Sequence, residues 1–252
     1  VGEESTPEKI AFALSTCGAA DTPLDAGCQK WAELLNQTGL FDVTVYNNSQ
    51  LGNVVDVLDR LIDGDVIAEA VSASDIADPL NIPDLKATMA PFLFDSIDDI
   101  NTLTQSDWFA ALADQAASQG VKIVAANLIN GERYFITKKP VAEPADMKGM
   151  KIRVPNNTNY INTFTAFGCA PTPMAATEIY TSLQTSVVDG MEHPLPDCLA
   201  NGYYEIAKYI SNQDYLKEMN MFAVSKTLWD QCTEEQQKDC LLYTSPSPRD
   251  RT

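Results

Sequence analysis

The only histidine of the chain, His193, directly follows Glu192 in the segment Asp-Gly-Met-Glu-His-Pro at positions 189–194. Acid–base catalysis by such a pair needs a nucleophile and a partner that orients the base. Neither is evident, and Gly-x-Ser-x-Gly, His-Glu-x-x-His, Gly-x-Gly-x-x-Gly and phosphate-loop patterns are absent. The residues therefore do not favour an enzyme. An enzyme that uses His193 and Glu192 on an acidic substrate remains an alternative.

Two arginines in predicted strands could bind an anion. A guanidinium is a planar fork that makes two parallel charge-assisted hydrogen bonds to a carboxylate, which a lysine cannot do. Strand alternation sends Arg153 to the face opposite its apolar neighbours, so the pattern alone indicates a surface arginine. For Arg133 the alternative is a solvated charge paired with Glu132 or Glu143.

The composition limits the classes of partner. The chain has 252 residues and a formal charge of −18, which disfavours binding to nucleic acid or to an anionic membrane surface. Hydrophobic residues make up 45% and charged residues 21%, as in ordinary globular proteins. No apolar run approaches the length of a membrane helix. The length allows one large domain or two medium ones.

The elements alternate between strands and helices, which predicts an α/β fold with a mostly parallel sheet. A β-α-β-α-β rhythm opens the chain, and its first helix has Leu24, Cys28, Trp31 and Leu35 at helical spacing. A later helix, at residues 106–119, has Trp108 and Leu112 on its predicted apolar face. The further predicted elements are strands at 121–129, 133–137 and 150–154 and helices at 159–167 and 174–184, with a break at Asn130-Gly131.

Five segments between positions 130 and 209 occur in a family-specific order. They are Asn130-Gly-Glu-Arg-Tyr, Ala145-Asp-Met-Lys-Gly-Met-Lys-Ile-Arg-Val-Pro, Pro171-Thr-Pro-Met-Ala, Glu178-Ile-Tyr-Thr-Ser-Leu-Gln-Thr and Val188-Asp-Gly-Met-Glu-His-Pro. Together they resemble the solute-binding proteins of TRAP (tripartite ATP-independent periplasmic) transporters. The resemblance extends more weakly back to Lys9 and forward to about Lys238.

The resemblance implies a periplasmic carrier of two α/β lobes joined by hinge strands, which closes on a small organic acid. The acid is then handed to a small and a large membrane permease subunit; a sensory module that reports to a receptor is the alternative. We expect lobes at 1–130 and 131–213, a return to the first lobe at 214–240, and a non-native or disordered tail at 241–252. Because the resemblance stops near Lys238, we expect the C-terminal region of the family to be truncated here, and we expect a monomer.

The resemblance also assigns site residues. Arg153 is expected to bind the ligand carboxylate, Arg133 to contact the same acid or a polar group near it, and His193 to make a polar contact where many members have Asn. An unperturbed imidazole there would change affinity between about pH 5 and 8; a packing role for His193 is the alternative. The weaker assignments are Ser15, Asn53, Ser72 and Ala176.

Departures from the family pattern narrow these expectations. Ser72 stands where sialate binders have Glu, and Ala176 replaces their aromatic residue, so sialate is not expected. Some members bind a metal through a Glu-Trp pair, but here His follows Glu192, so neither a metal nor a cofactor is expected. Six cysteines fit an oxidising compartment, and local pairs such as Cys17 with Cys28 stay open. The chain begins without Met or a leader, so any signal peptide would have been removed.

Overall fold

The structure is a computed structural model that describes residues 9–212 and 214–242. Its helices and strands alternate along the chain, as expected for an α/β protein. The strands are β1 (Ile10–Thr16), β2 (Phe41–Tyr46), β3 (Ile67–Ser72), β4 (Val121–Thr137), β5 (Lys151–Val154), β6 (Ala170–Pro173), β7 (Gly190–Pro194), β8 (Tyr209–Ile210) and β9 (Leu216–Ser225). The helices are α1 (Pro23–Gln37), α2 (Val54–Ile62), α3 (Ala73–Ala77), α4 (Ile97–Thr104), α5 (Asp107–Ser118), α6 (Thr158–Ala166), α7 (Ile179–Gln184), α8 (Leu195–Ala200), α9 (Lys226–Gln231) and α10 (Glu234–Leu242).

The strands of the described residues form one mixed sheet in the order β2-β1-β3-β9-β4-β7-β5-β6, with β8 added to β4. We call β2, β1 and β3 the first half and β7, β5 and β6 the second half. Strands within each half are parallel. The two strands that join the halves, β4 and β9, are antiparallel to each other and to the neighbouring strands. The expectation of a mostly parallel sheet was therefore wrong, because both joining strands run against their neighbours.

The joining strand β4 is one long strand where the sequence predicted two. Its pairing with β9 shifts register three times, the last between Ile129 and Gly131. Gly131 has φ +124°, a left-handed backbone that glycine adopts without strain. The Asn130-Gly131 pair therefore forms a bulge and not a turn. The predicted boundary between the lobes falls inside β4, and the limits of the lobes remain a prediction.

The apolar face of α1 packs where the sequence placed it. Thr22 caps the helix, Pro23 is its first residue, and Leu24, Cys28, Trp31 and Leu35 are all buried. The Trp31 ring stacks on Phe222 of β9, with centroids 4.6 Å apart. This contact fixes α1 against one of the two strands that join the halves of the sheet.

The apolar face of α5 differs from the prediction. Phe109, Leu112 and Ala116 are buried, whereas Trp108 is 39% exposed. Positions 109, 112 and 116 have helical spacing as good as the predicted set, and the core lies on their side. None of the six cysteines, all within the described residues, forms a disulfide. None of the helices in the described part of the chain combines the length and apolarity that a membrane crossing requires. The predicted tail at 241–252 lies outside the described residues from 243 onward.

Candidate ligand-binding site

A cavity of about 590 Å³ lies between the two halves of the sheet. This is a volume typical of sites for small organic ligands. Both halves and the two joining strands contribute polar side chains to its wall. They include Asn53 and Asp75, which follow β2 and β3, Arg153 and His193 on β5 and β7, Asn157 after β5, and Arg133 and Glu218 on β4 and β9. The topology thus gathers residues from distant parts of the chain around one space.

Arg153 lies on β5 and is only 3% exposed. Its Nε and Nη2 atoms donate to the carbonyl oxygen of Met174, at 3.2 and 2.8 Å. Its Nη1 atom is buried and has no hydrogen-bond partner within residues 9–212 and 214–242. The surface position indicated by strand alternation was wrong, because β5 lies between β7 and β6 and the face that carries Arg153 borders the cavity. A buried N–H group without a partner is costly, so this atom marks a place for an acceptor.

The pKa of Arg153 is lowered, chiefly by burial; Arg133 adds to this effect and Glu192 opposes it. An arginine keeps its charge under such a shift, because its ordinary pKa is far above neutral pH. Arg153 is therefore a buried cation whose charge is only partly compensated. An anionic ligand would compensate the rest of this positive charge.

Arg133 lies on β4, borders the same cavity and is also only 3% exposed. Its Nε and Nη2 atoms bind both oxygens of Glu192, at 2.5 and 2.7 Å, and Nη1 binds Oε1 of Glu218 at 2.7 Å. Pairing with Glu132 or Glu143, the alternative from the sequence, was wrong. Burial opposes the charged form, but Glu192 and Glu218 raise the pKa of Arg133 well above its ordinary value. All three guanidinium nitrogens of Arg133 are thus occupied.

Glu192 is fully buried, and the hydroxyl of Tyr215 donates to it at 2.6 Å in addition to the two bonds from Arg133. Its carboxylate is therefore bound within the buried cluster that it forms with Arg133 and Tyr215. No group of three or more potential ligands for a metal ion is found among residues 9–212 and 214–242.

His193 lies on β7 and borders the cavity, and its buried Nδ1 atom has no hydrogen-bond partner in the part of the chain that the structure describes. Burial, with the charges of Arg133 and Arg153, lowers the pKa of His193 well below 6.5. The imidazole is therefore neutral at pH 7. The sequence-based expectation that His193 titrates between about pH 5 and 8 assumed an unperturbed imidazole. The lowered pKa moves this titration to more acidic pH.

Of the four residues assigned more weakly to the site, two line the cavity and two do not. Asn53 caps α2, accepts from the N–H groups of Val55 and Asp56, and lines the cavity, as does Ala176. Ser15 and Ser72 are buried but are not among the residues that line it. The hydroxyl of Ser72 donates to Asp75 at 2.8 Å, so the neighbouring carboxylate, and not the serine, reaches the cavity.

The sequence analysis did not predict several polar residues at or beside the cavity. Asn157 caps α6, and its amide donates to Oδ1 of Asp75 at 2.6 Å, which joins the two halves of the sheet. Glu218 and Asn130 are bonded to each other at 3.0 Å. The position of Asn157 before a helix was a visible capping signal, but its partner across the cavity was not. Glu218 had no local signal, because its partners Arg133 and Asn130 are distant in sequence.

Cys17 borders the cavity beside these polar groups. Burial raises the pKa of its thiol well above the ordinary value, and Glu218 adds to this shift. Cys17 is therefore protonated and a poor nucleophile. It does not supply the nucleophile that an enzymatic role for His193 would need.

A sheet in two halves joined by two long strands, with a ligand-sized cavity between the halves, defines a two-lobed binding protein. A family model described as bacterial extracellular solute-binding protein, family 7 (DctP), matches residues 14–241. The chain belongs to this family of solute-binding proteins. The resemblance seen in the sequence, to the binding proteins of TRAP transporters, is confirmed.

Individual relatives agree with this membership. The chain is 31% identical over 227 residues to the C4-dicarboxylate-binding periplasmic protein DctP of Rhodobacter capsulatus, covering 88% of this chain and 67% of the relative. It is similar to a TRAP periplasmic solute-binding protein of Actinobacillus succinogenes with bound L-galactonate, at 29% identity and TM-score 0.89, covering 92% of this chain and 77% of that one. A second structure, with bound L-fuconate, has 30% identity, TM-score 0.89 and coverages of 94% and 78%. The chain spans 58% to 77% of the length of three further curated solute-binding relatives.

Proposed function

We propose that this chain is the extracytoplasmic solute-binding component of a TRAP transporter. It captures a small organic acid and delivers it to membrane permease subunits, one small and one large. The observation that carries the proposal is the buried Nη1 atom of Arg153, a cationic donor in a ligand-sized cavity that no described residue partners. Family membership supplies the context of transport.

The geometry of Arg153 suits a carboxylate. The Met174 carbonyl accepts from Nε and from one hydrogen of Nη2, along one edge of the guanidinium. The other Nη2 hydrogen and those of Nη1 form the end of the fork, which matches the two oxygens of a carboxylate. Met174 thereby holds the guanidinium in place before the ligand arrives, so little side-chain entropy is lost on binding.

The net charge of −18 does not oppose an anionic ligand. Exposed carboxylates are screened beyond roughly 8 Å at physiological ionic strength, whereas Arg153 acts at contact distance in a buried site. The relatives named for a C4-dicarboxylate and those with bound galactonate or fuconate are consistent with a carboxylate ligand. The periplasmic location given for relatives supports the same compartment here.

A panel of mono- and dicarboxylates and sugar acids, measured by thermal unfolding, tests the proposal. A true ligand at a hundredfold excess over Kd adds about 2.7 kcal/mol to the free energy of unfolding. We expect at least one acid to raise Tm in the wild type and not in Arg153→Ala. The matched control Arg60→Ala removes an exposed arginine and keeps the response. If no acid of the panel raises Tm, the proposed function is wrong.

Delivery to a permease is tested separately. The purified chain, added to vesicles that contain its cognate small and large permease subunits, should support uptake of the acid identified above. Binding without any uptake would favour the sensory role instead.

A further inference from the structure

Residues 157–159, at the start of α6, connect the second half of the sheet to the first, and we call them the latch. Asn157 caps α6, and its amide donates to Oδ1 of Asp75 at 2.6 Å. The main-chain N–H and the hydroxyl of Thr158 both donate to Oδ2 of Asp78, at 3.2 and 2.8 Å. Both acceptors follow β3, within α3 or directly after it, so each of these bonds crosses between the halves.

The third latch residue binds the main chain of the first half. The amide of Asn159 donates to the carbonyl oxygen of Met89 at 2.9 Å. Met89 ends a short 3₁₀ helix that also contains Lys86. The ammonium group of Lys86 binds Asp78 and donates to the hydroxyl of Thr158 at 2.6 Å. Because Lys86 and Asp78 belong to the same half, the acceptor is oriented before the two halves meet.

The direction of α6 strengthens the contact with Asp78. The first N–H groups of a helix have no partner within the helix, and its N-terminus carries a partial positive charge. The carboxylate of Asp78 meets both needs, since it accepts from the N–H of Thr158. Burial opposes its charged form, but the hydrogen bonds from Lys86 and Thr158 lower the pKa of Asp78. The carboxylate is therefore ionised at pH 7 and remains a strong acceptor.

The latch has an inner bond at the cavity wall and outer bonds that water can reach. The inner bond joins Asn157 and Asp75, which both line the cavity. The side chain of Lys86 is 24% exposed. The outer side chains are not among those that line the cavity; they are Lys86, Thr158 and Asn159. Substitution of an outer residue therefore changes the contact between the halves without removing a group from the cavity wall.

We propose that the latch holds the two halves closed over the cavity and that its opening sets the rate at which a bound acid leaves. The strands β4 and β9 join the halves through the main chain, and the latch adds bonds that exist only while the halves are in contact. Single polar contacts of this kind are weak, so the latch can open while the rest of the protein stays folded. Its existence does not depend on the ligand, whereas its effect on release rests on the proposed function.

The main-chain N–H of Thr158 reports the latch directly, because its hydrogen bond is made to the other half. Amide exchange of the free full chain would be measured by NMR. We expect Asn159→Ala to raise the exchange rate of this amide by about fivefold, since the neighbouring bond to Met89 is lost.

The matched control is Asn162→Ala, at an exposed asparagine of the same helix. Both variants replace asparagine by alanine in α6, so the change in helix propensity is the same. The control should leave the exchange rate at Thr158 within about twofold of the wild type. An exchange rate at Thr158 that is equal in Asn159→Ala and in the control overturns the latch.

Stopped-flow kinetics test the consequence for release. The probes are L-galactonate, which is bound in a similar structure, and succinate, followed by any other acid of the panel that raises Tm. In Asn159→Ala we expect the dissociation rate constant to rise by about fivefold and the association rate constant to change by less than about twofold, because acids enter the open form. The rise should be the same for every acid, since Asn159 does not border the cavity.

The outcomes separate the latch from the proposed function. Faster release of one acid but not of another shows a direct contact with that acid and overturns the role in closure. Unchanged release of every acid, together with faster exchange at Thr158, overturns the control of release. If no acid binds to the wild type, the proposed function fails and the claim about release fails with it, and the exchange rate at Thr158 alone decides whether the latch exists.

Discussion

Arg133 and Arg153 border the same cavity and are equally buried, at 3% exposure each, yet their surroundings differ. Around Arg133 every guanidinium nitrogen is paired with a carboxylate. Among the described residues, the guanidinium of Arg153 bonds to a main-chain carbonyl alone, and one of its nitrogens has no partner. The first arginine belongs to the structure of the joining strands, and the second is available to a ligand.

The difference shows that burial and residue type do not by themselves identify a binding residue. Arg133 holds together β4, β7 and β9, because Glu192 lies on β7 and Glu218 on β9. Its removal would leave two carboxylates buried without a cation. Removal of Arg153 leaves one carbonyl that loses a donor, and carbonyls tolerate this better. Substitution of Arg133 should therefore mainly lower the stability of the protein, whereas substitution of Arg153 should mainly lower its affinity for the ligand.

The largest effect is expected for the stability of Arg133→Met. Breaking a buried ion pair from one side leaves an uncompensated charge and costs about 3–5 kcal/mol. Urea unfolding would measure the loss. The control Arg60→Met breaks an exposed pair with Asp65 and should change stability by about 0.5 kcal/mol or less. A variant of Arg133 that keeps full stability but loses the ligand would show that Arg133 is the binding arginine.

The second effect concerns affinity. Arg153→Lys keeps the charge and removes the fork, so we expect the Kd of the ligand to rise by about 10- to 100-fold. The free energy of unfolding should change by about 1 kcal/mol or less. Calorimetry with the conservative control Arg60→Lys provides the comparison. Unchanged affinity in Arg153→Lys would remove the basis for the fork geometry.

The third effect lies in the pH dependence of stability. His193 has a folded pKa well below 6.5, so as pH falls below about 6.5 the unfolded chain takes up a proton that the folded chain does not. This contribution is fully present above pH 6.5 and is lost toward the folded pKa. Between pH 7 and 5.5 the wild type should lose about 1 kcal/mol more than His193→Asn. Parallel pH profiles of the two proteins would show that the imidazole is not buried between the arginines.

The smallest effect is expected at a more exposed polar contact between the halves. The hydroxyl of Thr158 donates to Asp78 at 2.8 Å, and Lys86 binds both residues. Thr158→Val removes the hydroxyl contact and keeps the main-chain N–H bond of residue 158 to Asp78 at 3.2 Å. Partly exposed polar contacts are worth about 0.5–1 kcal/mol. We expect a Kd two- to fivefold higher by calorimetry. A loss above tenfold would mean that this contact controls closure as strongly as Arg153 controls binding.

The periodicity of apolar residues predicted those features of the fold that depend on neighbouring residues in the sequence. The buried face of α1 followed from helical spacing, and the elements of the α/β fold lay close to their predicted positions. The mixed sheet and the continuous β4 did not follow, since a bulge at Gly131 resembles a turn in sequence. Alternation placed Arg153 on one face of β5 but could not show what covers that face. The resemblance to a family pointed to the cavity instead.

The candidate site was predictable only in part, for the same reason. Arg133, Arg153 and His193 were proposed from motif positions, whereas Glu218 has no motif and acquires its role through partners far along the chain. Ser72 was proposed, but its helix places Asp75 at the cavity. Contacts between distant segments decide which side chain of a short motif reaches the ligand.

A crystal structure of the full chain with its tightest-binding acid tests the division between the two arginines most directly. The account predicts a carboxylate oxygen at about 3 Å from the Nη1 atom of Arg153, with the bonds of Arg133 to Glu192 and Glu218 unchanged. A carboxylate bound to Arg133 in place of Glu218, with Nη1 of Arg153 still unpartnered, would contradict it.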